Sequence, residues 1–478
     1  MVFSSLIFIY AFLPLSLLCY MLCGSLKAKN ISLLFFSLIF YAWGEPKYVL
    51  LLMLMAAVDW FCALRIDIAE SVGERKMWLA LAVFVDLLLI GVFKYAGLVC
   101  SIFGKIPEVV QRITLPIGIS FYTFQLLTYV VDVYREDAQA EREYWHVLLY
   151  AALFHQCIAG PIVRYNSIAE ELFVQRSGAE ELTDGIRRFT CGLAKKALLA
   201  NPCGALVDAL LLTDQAASNP ELFSENLTHL QGVTILGSWL GMAAFMLQIY
   251  LDFSAYSDMA IGMGKVLGLH YPENFHYPYA AKSVTEFWRR WHMSLSSFFR
   301  DYVYIPLGGN RCSLPRNVLN TLIVWALTGL WHGASWNFVL WGLYWFIFLM
   351  LERLFLKKLL QRVPVLPHLY LVLVVFLGWI LFRFTDIRLG LTVVKGLFGL
   401  NGNLATDFLS ATMLENNIFL LLVSAVACTP LPKALSDRLA AYSVWAGCRK
   451  ALFPIVLLLL STCALVGESY NPFLYFQF

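Results

Sequence analysis

Between Val318 and Met350 the chain carries no Asp, Glu, Lys or Arg, and a single histidine, His332, breaks the apolar run among Trp331, Gly333, Ala334, Ser335 and Trp336. A titratable side chain at membrane depth is expensive to bury and marks a functional site by default. The run therefore sets two conditions at once: the segment belongs in lipid, and its histidine needs a reason to be there.

The rest of the sequence repeats the apolar pattern. Candidate spans, judged against the roughly 20 residues that cross a bilayer, fall at 1–23, 31–43 running on to 47–64, 77–97, 114–131, 146–163, 189–212, 230–253, 255–269, 317–331, 333–351, 369–385, 389–400, 413–428 and 451–467. Charged residues are 14% of the chain, where a soluble protein carries about a quarter. The expectation is an all-α polytopic membrane protein. Its first 22 residues have no basic leader region or small-residue cleavage pattern, so they read as a first transmembrane helix and not as a signal peptide. A net charge of +3, dispersed over loops, excludes nucleic acid as a partner. The eleven cysteines are scattered singly without Cys-x-x-Cys or metal spacing, so neither a disulfide framework nor a metal site is expected.

The 317–331 piece covers only about 22 Å of a ~30 Å hydrocarbon core, which predicts a segment that enters and turns back. Its companion 333–351 begins at Gly333. The outer flanks are basic, Arg300, Arg311 and Arg316 on one side and Arg353, Lys357, Lys358 and Arg362 on the other. Lysine and arginine favour the cytoplasmic side, so His332 is expected at the tip of a hairpin, deep in the membrane or near its far face. Residues 213–230 hold Asp214, Glu221 and Glu225 without a basic residue, which suits the outer face, whereas 264–316 holds Lys265, Lys282, Arg289, Arg290, Arg300, Arg311 and Arg316. Counting on from there leaves the tail Glu468 to Phe478 outside.

Three further stretches place polar groups where lipid does not tolerate them. Gln248 to Asp258 alternates polar and apolar residues and must face protein or water. His155 to Arg164 joins a histidine, a Gly160-Pro161 break and an arginine. Trp288 to Asn310 is too charged to span; there Arg289, Arg290 and Arg300 suit a phosphorylated cytosolic ligand, because guanidinium pairs bidentately with phosphate, although ordinary positive-inside anchoring explains them as well. Asp252 and Asp258 suit helix-to-helix hydrogen bonding. A buried histidine often serves the same purpose; at His332 the small neighbours leave room for a ligand, and no carboxylate lies within a helical turn.

The stretches Gly160-Pro161-Ile162-Val163-Arg164-Tyr165, Asp252 to Gly262, Phe287 to Ser296, Arg300 to Arg311, Leu330 to Trp336 and the closing Asn471 to Phe478 resemble, in order, the motifs of the membrane-bound O-acyltransferases, and within them the membrane subunits of alginate O-acetylation. The chain departs from the usual pattern at His155, where proline is common, and at Ala255, where glycine is. The resemblance implies eleven or more transmembrane helices with re-entrant and interfacial helices around a catalytic tunnel, divided as 1–145, a catalytic core 146–362, and 363–478. It implies a catalytic His332 with His292 as second histidine, and a donor-binding or tunnel-lining set of Arg289, Arg290, Trp291, Arg300, Trp331, Trp336, Asn337, Asp252, Tyr256 and Asp258. It also implies an acyl thioester donor, acetyl-CoA or another, arriving from the cytoplasm, no permanently bound cofactor, an exported polysaccharide as destination, and a periplasmic transferase or carrier as partner in the bacterial inner membrane.

The residues support this chemistry independently. Acyl transfer to a hydroxyl needs a base, and imidazole suits that role. It also needs donors for the developing oxyanion, for which the Trp331 or Trp336 indole, the Asn337 amide and backbone N–H groups at the start of 333–351 are candidates. A secondary transporter of a small acid and a non-catalytic secretion scaffold are the rival readings; transporter folds tend to be built from repeats, and none is visible here.

Overall fold

The computed structural model describes the chain apart from residues 105, 175–180, 357–359, 361–362, 364, 441, 468–472 and 475–478. The flanking Lys357, Lys358 and Arg362, and the tail beyond Phe473 and Leu474, lie outside the described residues. Every regular element among the described residues is helical, as the all-α reading expects. In lipid a helix satisfies its own backbone within one segment. The helices used below are, in chain order, α1 (Val49–Ile68), α2 (Val72–Ile102), α3 (Ile119–Tyr134), α4 (Ile235–Val266), α5 (Val284–Arg290), α6 (Met293–Phe299), α7 (Leu314–His332), α8 (Trp336–Leu356), α9 (Leu366–Arg383) and α10 (Phe408–Ala427). Six of them, α1, α2, α4, α8, α9 and α10, are long and apolar enough to cross a membrane, and Phe8–Leu22 and Leu452–Val466 are shorter apolar helices.

The residues divide into two compact units. The first comprises Met1–Gly192, Tyr256–Glu273 and Leu465–Pro472. In it α1, α2 and α3 pack against one another. Phe8 and Phe12 meet the Phe40 ring at 5.8 and 5.6 Å and Phe154 at 6.3 and 5.4 Å. The stretch 146–163, expected to span, does not continue as a helix: Tyr144–Ala152 is helical, and the chain from Leu153 to Arg164 is irregular although almost wholly buried. Pro161 has no N–H to donate and disfavours a helical predecessor, and Gly160 takes a left-handed φ of 96°. Irregular backbone at this depth is tolerated where protein satisfies it. Here Ser37 Oγ accepts from Phe154 N at 3.1 Å and the Tyr150 hydroxyl donates to the Val163 carbonyl at 2.8 Å. His155 is fully buried, with its Nδ1 2.6 Å from the Tyr271 hydroxyl.

The second unit comprises Leu193–Ala255, Asn274–Ala464 and Phe473–Phe478. Two expectations change on helix length. The stretches 230–253 and 255–269 are one helix, α4, of 32 residues, because its glycines serve close packing and not a break: within the first unit, a Cβ at Gly262 would stand 2.6 Å from Phe189 N and 2.8 Å from Gly185 O. At about 1.5 Å per residue α4 is ~48 Å long, more than a bilayer core requires. The 317–331 piece is likewise longer than its apolar run, since Leu314 to Arg316 wind in as the first turn, with Pro315 at a position where a missing N–H costs nothing. With 19 residues, α7 reaches about 28 Å.

Helices α7 and α8 form a hairpin, and glycine makes it tight. The Gly329 and Gly342 backbones oppose each other, so a Cβ on Gly329 would stand 2.3 Å from the Phe338 carbonyl oxygen, and one on Gly342 2.3 Å from that of Trp325. Close approach at small residues is how helices gain packing in lipid, where no hydrophobic force drives them together.

Replacing Gly329 with alanine should therefore part the hairpin and lower stability by about 1–3 kcal/mol, the usual cost of overpacking. The matched change Gly91→Ala in α2, where nothing lies within 4 Å of the new methyl, should leave the thermal unfolding of the detergent-solubilised protein in place. Equal melting temperatures for the two variants would refute the close-packing account.

Candidate active site

His332 is the last residue of α7, and the chain turns through extended Gly333 into α8. A Cβ on Gly333 would lie 2.2 Å from the Phe338 ring, so the turn is filled by that phenylalanine. Consecutive helical side chains diverge, and the two rings at the helix end separate accordingly. Trp331, 3% exposed, stands between the histidines, its ring 4.8 Å from His332 and 5.8 Å from His292. His332, 6% exposed, meets Trp341 of α8 edge to face at 4.9 Å and Phe382 of α9 at 5.3 Å.

These rings form part of the wall of a cavity lined by Ile249, Phe253, Trp291, His332, Trp341, Trp379, Phe382 and Leu474. Among the described residues its wall contains one titratable side chain, His332, and no carboxylate or cation. Trp379 is fixed from behind: its indole N–H donates to the Tyr279 hydroxyl at 3.2 Å, and that hydroxyl donates to the Met246 carbonyl at 2.6 Å.

His292 caps α6 in a left-handed conformation with φ 44°, a costly state for a residue with a Cβ that persists only where the surroundings enforce it. The enforcement comes from Asn274. Its backbone carbonyl accepts from Met293 N at 2.9 Å, and its Oδ1 accepts from His292 Nδ1 at 3.1 Å and from Ser294 N and Oγ at 3.3 and 2.9 Å. Because Oδ1 only accepts, His292 carries its proton on Nδ1 and leaves Nε2 as a lone pair. Burial pushes the imidazole down to about 3, so it is neutral at physiological pH. Its ring stacks edge to face on Phe253 at 4.8 Å, which places a cavity residue between it and the open space.

The remaining sequence candidates fall in several settings. Trp291 lines the cavity. Asp252 does not; it pairs with Lys196 at 2.6 Å, both 2% exposed, and its second oxygen accepts the Leu474 N–H at 2.8 Å, while the ammonium sits 4.7 Å above the Phe473 ring. Asp252 therefore holds Leu474 in the wall. Asn337 is buried, and its amide donates to the Leu381 carbonyl at 3.2 Å. Trp336 is 59% exposed. Arg290 pairs with Glu286 at 2.5 Å and Arg300 with Asp301 at 2.6 Å, and Arg289 is exposed. In the first unit, Tyr256 stacks on Phe3 at 4.7 Å and Asp258 pairs with Arg188 at 3.0 Å.

Asn274, Lys196 and Trp341 escaped the sequence reading. Asn274 gave one signal, a short amide set among aromatics in Tyr271 to Tyr279. Lys196 is a charge inside an apolar stretch, and Trp341 lies five residues beyond Trp336 on the buried face that also carries Phe338 and Trp345. With no ionised group among its described lining residues, the cavity surrounds the imidazole with apolar rings and suits proton transfer in acyl transfer from an uncharged carbonyl compound.

A profile described as the membrane-bound O-acyltransferase family matches residues 35–394. The chain is 38% identical over 408 residues to the probable alginate O-acetylase of Pseudomonas aeruginosa, across 83% of this chain and 75% of that one. It is 34% identical over 517 residues to the probable alginate O-acetylase of Azotobacter vinelandii, across the whole of both. It is 31% identical over 441 residues to the peptidoglycan O-acetyltransferase of Helicobacter pylori, across 84% and 80%.

The Lys196–Asp252 pair yields a test of the wall. Lys196→Met should leave a buried carboxylate uncompensated and cost about 3–5 kcal/mol. The double variant Lys196→Met/Asp252→Asn should melt at a higher temperature than the single one, because the neutral amide still accepts from Leu474. A double variant no more stable than Lys196→Met would show that the pair does not carry the load assigned to it.

Proposed function

Because the chain belongs to the membrane-bound O-acyltransferase family, and is thus a multi-pass bacterial inner-membrane enzyme that acylates hydroxyl groups, we propose that it moves an acetyl group from cytoplasmic acetyl-CoA toward an exported glycan of the alginate type, with His332 as general base. The observation that carries this reading is the position of His332 as the single titratable side chain among the described residues that line an apolar cavity.

The steps follow from that placement. The acceptor hydroxyl attacks the thioester carbonyl carbon, and His332 removes its proton as the C–O bond forms. The tetrahedral intermediate collapses, the C–S bond breaks, and the imidazolium returns the proton to the departing thiolate. No net proton is consumed. His292, neutral and locked by Asn274, positions the thioester arm indirectly, through the Phe253 ring that it holds in the cavity wall. The donor approaches from the side of residues 264–316, where exposed Arg289 and Arg300 suit the phosphates of coenzyme A. The acceptor approaches from the side of 213–230, whose short acidic segment offers no long aromatic platform for a polymer. A separate hydroxyl-bearing carrier or periplasmic transferase therefore takes the acetyl group first. The acetylated polymers named for the relatives, alginate and peptidoglycan, bound the choice of destination.

His332→Ala should abolish ester formation by roughly 10²-fold or more, the range for a lost general base, while the protein inserts and purifies normally. A variant keeping over a tenth of wild-type turnover, measured as coenzyme A release with acceptor present, would refute the role. In proteoliposomes of uniform orientation, acetyl-CoA should support polymer esterification only when supplied on the face bearing residues 264–316, and only after the periplasmic partner is added. Full esterification by the chain alone would show that the cavity admits polymer directly.

A further inference from the structure

We infer that Trp341 is a catalytic residue, its indole N–H being the hydrogen-bond donor that stabilises the oxyanion formed on the thioester carbonyl; the inference rests on His332 being the base. Acyl transfer places a full negative charge on the carbonyl oxygen as the hydroxyl adds, and a donor fixed in a dry site is worth most there. Besides His332, the lining side chains that carry an N–H are Trp291, Trp341 and Trp379, and the Trp291 N–H is not among the buried side-chain atoms left without a partner. Trp379 gives its N–H to Tyr279 at 3.2 Å. The Asn337 amide donates to the Leu381 carbonyl, and Trp336 is exposed and outside the wall. Trp341 differs from all three: it lines the cavity, it is fully buried, and its Nε1 has no hydrogen-bond partner among the described residues.

A buried N–H without a partner is costly, and a substrate oxygen entering the cavity removes that cost. The ring lies 4.9 Å from His332, nearly perpendicular at 78°. The side chains that carry base and donor thus line the same cavity, as a carbonyl under attack by a hydroxyl requires. Trp341 is held in this pose by Trp379, stacked at 6.4 Å, and by Phe382 at 5.4 Å.

One helical turn on, Trp345 supplies the control. It too is fully buried, with an Nε1 lacking a partner among the described residues, but it does not line the cavity. Trp341→Phe should lower kcat by roughly 10²- to 10³-fold, the range for removing an oxyanion donor, with KM for acetyl-CoA changed only a few-fold. Trp345→Phe, an equal loss of volume and of an N–H, should retain turnover within a few-fold of wild type. Incorporating the benzothiophene analogue of tryptophan at 341, which keeps the ring shape and replaces N–H by sulfur, should reproduce the loss in a fully folded protein and covers the case in which Trp341→Phe fails to fold. If the analogue keeps wild-type kcat, Trp341 is a packing residue and the inference is wrong. His332→Ala, assayed alongside, tells the two apart: activity there overturns the base, whereas an inactive His332→Ala with an active 341 analogue overturns only the oxyanion donor.

Discussion

The contact between the Gly329 and Gly342 backbones governs the second unit, because it sets how far the end of α7 stands from the start of α8. With no side chain between them, the two helices meet at carbonyl-to-glycine distance. His332, three residues after Gly329, and Trp341, the residue before Gly342, then meet across the hairpin at 4.9 Å. A wider hairpin would draw the rings apart and open the cavity to water or lipid. The facing of the two rings is a by-product of helix packing in a solvent that supplies no hydrophobic force.

A second layer is electrostatic. The described residues of the cavity wall include no ionised side chain, yet one of them, Leu474, is held by the carboxylate of a buried ion pair. Such a pair is weak evidence for stability, since desolvation offsets most of the attraction. Its value is directional: Asp252 has one oxygen for Lys196 and one for a backbone N–H, and both must be met. His292 follows the same logic without charge, through an asparagine that can only accept from it. The enzyme keeps its ions behind the wall and its neutral rings in front.

Much of this was legible in the sequence. His332 and His292 stood out because a titratable group in an apolar run is rare, and the helical class followed from apolar lengths alone. The acyltransferase identity then set aside the transporter and scaffold readings. What could not be read were the partners. Nothing local links Lys196 to Asp252 or Asn274 to His292, for those contacts belong to the folded chain. Trp341 was passed over because a tryptophan in an apolar helix is ordinarily packing, and only a cavity beside its N–H distinguishes it from Trp345. Helix ends misled in both directions. Polar residues at 254–258 suggested a break inside α4, where they are accommodated by protein, and the apolar stretch of α7 undercounted a first turn that is polar by sequence but helical in fact.

The uncharged wall has a further consequence, in terms of ionic strength. Dissolved salt screens exposed charges over roughly 8 Å at physiological concentration, and it reaches exposed Arg289 and Arg300 but has no ion in the cavity wall to act upon. The two halves of the enzyme's work thus answer to different solvents. In the proposed mechanism, capture of an anionic donor belongs to the electrolyte outside and bond making to an interior without an ion among its described lining residues, so added salt acts on the first and not on the second.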